Sequence, residues 1–321
     1  MNVCAIGTGA ITKSMLAEFA KSDVLRVSSI YSRKEETGKA MAAEFGLQRV
    51  YTDLDEMLSN PEIEMVYVAS PNSIHYGQVK AALNAGKHVI CEKPFAPTVA
   101  EADELIALAK EKGLFLFEAI TTAHHPHYGY IKENLPKLGK LKVVNANFCQ
   151  FSSRYPALLA GKPSPVLDHA YAGGALMDIN LYNIHFIVGL FGAPKSVRYF
   201  ANRHESGVDT SGVLLMEYDG FLCQCTGAKD CAGRNGVQII GEDGYMEVTP
   251  SSSNCQTVEL NLRGQQSVSC HLPENPWYHE IQDLSRIVAA GDYDYCYKAL
   301  EVTHNVVEVL EKARKYAGFG F

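Results

Sequence analysis

Lys87-His-Val-Ile-Cys-Glu-Lys-Pro-Phe-Ala96 is the stretch on which the fold turns. Residues His88 to Cys91 read as a short buried strand. The apolar run has the length of a core strand in a parallel sheet, and Pro94 ends the ladder because it has no N–H to donate. Lys93 then stands at the carboxyl edge of the sheet, where open α/β sheets bind ligands. A lysine on a loop is ordinarily solvated. The pattern on either side of it argues for a placed one.

Upstream, strands and helices alternate. Asn2 to Ile6 reads as a strand that runs into Gly7-Thr-Gly-Ala-Ile-Thr12 and an amphipathic helix to about Lys21. This is the Gly-x-Gly turn of a dinucleotide-binding unit, with Gly7, Thr8, Gly9, Ala10 and Ile11 as cofactor contacts. Thr12 stands where the fingerprint has its third glycine. Leu25 to Tyr31 forms a second strand. A carboxylate at its end would bind the ribose hydroxyls of NAD, but the chain has Ser32-Arg33-Lys34. A small hydroxyl and two cations suit a 2′-phosphate, so NADP is expected ahead of NAD. The competing reading is a solvated helix start. Glu64 to Ala69 is a fourth strand, followed by Ser70-Pro-Asn-Ser-Ile-His75 at the same edge as Gly7 and Lys93. Ser70, Pro71, Asn72 and His75 are assigned to the cofactor with Glu92 and Lys93. Further helices are expected over Glu35–Phe45, Tyr76–Ala85 and Thr98–Lys112, with a last parallel strand at Leu114–Phe117.

Gly7-Thr-Gly-Ala-Ile, Pro71-Asn72 with His75, and Ala85-Gly-Lys-His-Val with Glu92-Lys-Pro94 together resemble the glucose–fructose oxidoreductase/inositol dehydrogenase family, Gfo/Idh/MocA. The resemblance implies that Lys93 serves catalysis and contacts the nicotinamide ribose. It covers the first domain and continues into the second.

In the second half, His124-His-Pro-His127 invites a metal reading. Pro126 breaks any helix there and no carboxylate is close, so no metal is expected. His124, His125, His127, Arg154 and His185 remain candidates to touch substrate. A short helix is expected over Tyr130–Leu138. Gly173-Gly174 opens a mostly apolar helix, Ala175 to Phe191, on which Asp178, Tyr182, His185 and Gly189 share one face. Such a stripe on a helix fit for burial should line a cleft; the competing reading is an ordinary wet face. In the family this stretch supplies an aspartate and, one turn later, a histidine or tyrosine. The tyrosine form resembles the glucose–fructose oxidoreductase and dimeric dihydrodiol dehydrogenase branches, and His185 replaces the second aspartate of many members. From Ser196 the hydrophobic period becomes two, with hairpin signals at Asp219-Gly220 and Asp243-Gly244.

The expected fold class is therefore α/β. An N-terminal Rossmann parallel sheet (1–119) precedes a C-terminal α+β domain on a mostly antiparallel sheet (120–321). A chain of 321 residues fits two domains. Its net charge of -7 argues against nucleic acid or an anionic membrane as partner. No apolar run of spanning length is read, and a strand starting at once after Met1 leads to the expectation of a cytoplasmic protein. The nine cysteines are scattered and expected to be reduced. The family resemblance implies a homodimer or homotetramer through the sheet's free face, with Val213, Leu215, Cys223 and Cys225 as candidate apolar positions.

Hydride transfer to a carbonyl leaves an alkoxide that needs a proton. Lys93 and Tyr182 are expected to converge on that oxygen, Tyr182 giving the proton, Lys93 polarising the oxygen, and Asp178 pairing with the lysine. The reading is an NADP(H)-dependent oxidoreductase of a sugar, polyol or dihydrodiol-like small molecule. A nucleotide-sensing regulator without turnover and a reductase of C=N or C=C bonds are the alternatives.

Overall fold

The computed structural model describes residues 1–319. The first elements are β1 (Asn2–Ile6), α1 (Ala10–Phe19), β2 (Arg26–Tyr31), α2 (Glu35–Phe45), β3 (Arg49–Tyr51) and α3 (Leu54–Ser59). They are followed by β4 (Met65–Val68), α4 (His75–Asn84), β5 (His88–Glu92), α5 (Val99–Lys112) and β6 (Leu116–Ala119). The six strands form a parallel sheet in the order β3-β2-β1-β4-β5-β6. Strand order reverses between β1 and β4, which opens a crevice at their carboxyl ends. Gly7 and Ser70-Pro71-Asn72 follow those two strands. Helix boundaries are written in the sequence: Thr98 and Glu101 close a reciprocal capping box on α5, and Gly113 ends it with φ +62°.

The next elements are α6 (Thr121–His124), α7 (Pro126–Asn134), β7 (Leu141–Cys149), α8 (Tyr155–Leu159), a π-helical turn Leu176–Asn180, and α9 (Leu181–Phe191). Strands β8 (Ser196–Arg203), β9 (Asp209–Tyr218), β10 (Phe221–Ala228), β11 (Gly236–Gly241), β12 (Gly244–Ser251), β13 (Asn254–Leu262) and β14 (Val268–His271) complete an eight-stranded sheet, ordered β14-β13-β12-β11-β7-β10-β9-β8. The β7–β10 pairing is parallel and the others are antiparallel. Asp219-Gly220 and Asp243-Gly244 make the expected hairpins. The π turn and α9 pack on one face of this sheet, where Leu176, Met177, Ile184, Phe186 and Ile187 are fully buried. By length and composition the stretch His169–Phe191 could cross a membrane, a run the sequence reading did not register, and most of it is buried within the structure.

Register corrects one surface expectation. Cys223 lies opposite Met216 and Cys225 opposite Leu214, and all four are buried. Val213 and Leu215 pair with Thr226 and Gln224 on the other face. Side chains alternate along a strand, so the two cysteines face the core and cannot join an exposed patch.

The closing helices are α10 (Pro276–Ala290) and α11 (Tyr293–Ala317). One compact unit comprises Met1–Ala119 with Trp277–His304, and the other Ile120–Pro276 with residues 305–319. Residues 277–304, read from the sequence with the second domain, thus belong with the parallel sheet. Ile281, Leu284, Ile287 and Val288 recur at helical spacing and join Met15, Phe19, Tyr67 and Ile90 in one core. Each such burial stabilises by roughly 1.5–3 kcal/mol. An amphipathic stripe announces that a helix is covered without saying which sheet covers it.

Candidate active site

β1 hands the chain to Gly7 at φ +111°, where a Cβ would stand 2.4 Å from the Ala69 carbonyl oxygen. Only glycine fits that approach. Gly9 and Ala10 are exposed, and a Cβ at Gly9 would meet nothing within 4 Å. No side chain caps α1. Its first-turn amides and positive dipole end, reached through Thr8, Gly9, Ala10 and Ile11, therefore suit a pyrophosphate. Thr12 is fully buried in the third-glycine position.

At the end of β2 the expected trio divides. Ser32 is buried and its hydroxyl works within the turn, donating to the Lys34 carbonyl at 2.9 Å and lying 2.8 Å from the Thr37 hydroxyl. Arg33 and Lys34 are exposed, so the cations are the groups presented to a phosphate. After β4, Ser70 donates to the Gln78 side chain at 2.6 Å, and Pro71 and Asn72 lead into a 3₁₀ turn, Asn72–Ile74.

His75 is fully buried beneath this loop. Its Nδ1 lies 3.0 Å from the Pro94 carbonyl and its Nε2 2.8 Å from that of Ser70. Burial pushes the imidazole pKa down, and the two carbonyls oppose that shift. The ring ties the loop after β4 to the loop after β5. Glu92 is buried beside Lys93, its Oε1 accepting the Tyr67 hydroxyl at 2.7 Å. Burial raises its carboxyl pKa to about 7, against the lowering effects of Tyr67 and Lys93. Glu118 accepts the Phe95 amide at 3.2 Å. His75 and Glu92, expected against the cofactor, thus occupy interior positions that hold the Lys93 loop. From Val89 to Pro97 every residue but Lys93 is buried.

In the second unit the polar stripe is shorter than its spacing suggested. From Ala172 to Val188 every residue but Asp178 and Tyr182 is buried. His185 is buried, and at half-buried Gly189 a Cβ would meet the Tyr128 hydroxyl at 2.3 Å, so that ring packs against the far end of the stripe. Asp178 lies on the π turn, a feature that clusters at functional sites. Two asparagines fix this turn to β10: Asn180 donates to the Cys225 carbonyl at 3.2 Å, and Asn183 to Asn180 at 2.9 Å and to the Thr226 carbonyl at 3.1 Å. Phe148 of β7 lies against Tyr182, ring centroids 5.9 Å apart. The Asp178 carboxylate, expected to pair with Lys93, makes an ion pair with Lys229. Sequence reasoning passed over Lys229, the cation that directly follows β10, a strand on which exposed and buried positions alternate.

The histidine cluster has architectural bonds. His125 caps α7 through its ring, accepting the His127 amide at 3.3 Å, and Pro126 takes the first helical position. Pro126 therefore starts a helix where the sequence reading expected none before Tyr130. His127 Nδ1 lies 2.8 Å from the Cys255 carbonyl. His124 is half-buried, and Arg154 is exposed.

Residues 1–120 match the model of the oxidoreductase family with an NAD-binding Rossmann fold, GFO_IDH_MocA, and residues 136–247 that of the GFO/IDH/MocA C-terminal domain. The chain is 32% identical over 315 residues to the scyllo-inositol 2-dehydrogenase (NADP+) IolU of Bacillus subtilis, covering 98% of this chain and 96% of that one. It is also 32% identical over 315 residues to the trans-1,2-dihydrobenzene-1,2-diol dehydrogenase of Homo sapiens, covering 92% and 90%. The crystal structure of KijD10, a 3-ketoreductase from Actinomadura kijaniata in complex with NADP and TDP-benzene, superposes with a TM-score of 0.87 at 22% identity, over 98% of this chain and 97% of that one.

Proposed function

The chain belongs to the Gfo/Idh/MocA oxidoreductase family, and from that premise we propose that it oxidises a secondary alcohol on a six-membered ring bearing a neighbouring hydroxyl, or reduces the matching ketone. It is an NADP(H)-dependent oxidoreductase acting on alcohol groups. The finer substrate class rests on the two relatives of equal identity, whose names describe a cyclic polyol and a cyclic diol. The two share a ring carbon carrying a hydroxyl beside another.

The observation that carries the residue roles is the pattern of exposure. Lys93 alone is only half-buried among the buried residues of its segment, and Asp178 and Tyr182 alone are so in theirs. Gly7 to Ile11, Ser70 to Asn72, Arg33 and Lys34 would hold the cofactor, which when bound supplies or accepts the hydride. Lys93 donates hydrogen bonds to the reacting oxygen and stabilises its negative charge. Tyr182 moves a proton at its phenolic oxygen, acid in ketone reduction and base in alcohol oxidation. Asp178 sets the local charge beside it.

The test is a panel of inositols, dihydrodiols, aldoses and ketoses scored by NADPH absorbance. A vicinal ring diol should give the highest kcat/KM. Lys93→Met and Tyr182→Phe should each lower turnover by about 10²-fold or more while NADPH affinity changes little. A Lys93→Met protein reacting at the wild-type rate in single turnover removes the assignment. Tight NADPH binding with no turnover across the panel favours a sensor. We further read the protein as cytoplasmic and as a homodimer or homotetramer built on the exposed face of the eight-stranded sheet, where Phe200, Leu215, Leu222 and Tyr245 are exposed.

A further inference from the structure

We propose that Lys229 is a positioning residue for this reaction, holding Asp178 as a neutralised carboxylate next to Tyr182. The inference rests on the catalytic reading of Tyr182 given above. The Lys229 side chain is 8% exposed and its ammonium pairs with the Asp178 carboxylate, itself 19% exposed. A lysine so deeply placed is costly unless its charge is matched, and removing one partner leaves the other stranded.

The lysine's own backbone is pinned from both sides. Its N–H donates to the Thr210 carbonyl at 2.8 Å, and its C=O accepts from the Ser152 amide at 2.9 Å. The next residue, Asp230, accepts from the Thr210 and Ser211 hydroxyls at 2.7 and 2.9 Å. The ammonium therefore starts from a fixed anchor. With Asn180 and Asn183 bonded to Cys225 and Thr226, the final stretch of β10 and the residue after it grip the Asp178–Asn183 segment at three points. Two grips are neutral and set geometry. The third carries charge. An ionised Asp178 beside Tyr182 would oppose formation of the tyrosinate in alcohol oxidation, and Lys229 cancels that field.

The consequence is a sign that a purely structural lysine would not produce. Lys229→Met should lower kcat for alcohol oxidation by about tenfold or more, with KM and NADPH affinity little changed. Lys229→Arg, which keeps the charge, should recover most of the loss. The double variant Asp178→Asn/Lys229→Met should be faster than Lys229→Met alone and no slower than Asp178→Asn alone, because the stranded carboxylate is gone. The assay uses the full chain with NADP+ and the best substrate of the panel, and thermal melts establish that each variant is folded. Should Lys229→Met fail to fold, the arginine and double variants carry the test. Wild-type kcat in a folded Lys229→Met protein overturns the proposal, as do losses that simply multiply in the double variant. If Tyr182→Phe itself turns over normally, or the wild type acts on nothing in the panel, the underlying reading has failed and the proposal with it. If Tyr182→Phe is inactive while Lys229→Met is normal, only the proposal has failed.

Discussion

Arg33 and Lys34 are exposed at the end of β2, while Ser32 is drawn into the turn before α2. Discrimination at the 2′-position therefore falls to the cations. NADPH should bind at least tenfold more tightly than NADH, about 1.4 kcal/mol. Arg33→Ala should erase most of that margin without weakening NADH, as read by fluorescence titration; equal wild-type affinities would reject the assignment. Glu92 supplies a second prediction. Its carboxyl is raised from 4.5 to about 7, mainly by burial. For an acid whose folded pKa is raised, the stabilising contribution is complete below the unfolded value and is lost as pH rises through the folded one. Across pH 4.5 to about 7 this group should therefore remove about 3 kcal/mol of stability. Melting temperatures of Glu92→Gln should depend less on pH in that window than those of the wild type. An identical slope would show that Glu92 is ionised when buried.

At the scale of elements, the segment bearing Asp178 and Tyr182 depends on how it begins. Gly174 adopts φ +125°, and a Cβ there would come within 2.0 Å of Asp209 Oδ1. Asp209 is buried in β9, and its other oxygen accepts the Leu176 amide and the Tyr199 hydroxyl, both at 2.7 Å. A strand carboxylate thus caps the π turn from outside its own helix, a bond no local sequence pattern announces. Gly174→Ala should destabilise by about 2 kcal/mol or more in denaturant melts, combining backbone strain with displacement of that cap. Thr98→Ala, by contrast, removes a local capping box and should cost about 1 kcal/mol. A Gly174→Ala protein as stable as wild type would mean that Asp209 can move aside.

For the whole molecule, the eight-stranded sheet has one face under the π turn and α9 and another that leaves Phe200 at 55% and Leu222 at 58% exposure. Exposed large apolar side chains mark an association surface when they cluster; Phe200 on β8 and Leu222 on β10 lie on the same face, either side of β9. A Phe200→Asp/Leu222→Asp variant should reduce the mass measured by light scattering at micromolar concentration while leaving the monomer folded. A wild type that is already monomeric under those conditions would remove the oligomer from the account.

Local chemistry was enough to write the parallel sheet, its glycine turn, the Glu92-Lys93-Pro94 edge and the period-two strands. Turn glycines, caps and alternation act over a few residues, and six strands separated by helices leave few topologies. The candidate residues Lys93, Asp178 and Tyr182 were legible for the same reason: each is a polar group in an apolar run. Tertiary structure decided what crosses long sequence distances. It gave residues 277–304 to the first sheet, turned Cys223 and Cys225 inward, buried His185, and took His75 and Glu92 into the interior. It also brought Lys229 to Asp178 across 51 positions. An ion pair depends on where two chain segments meet in space, and neither segment's own composition carries that information.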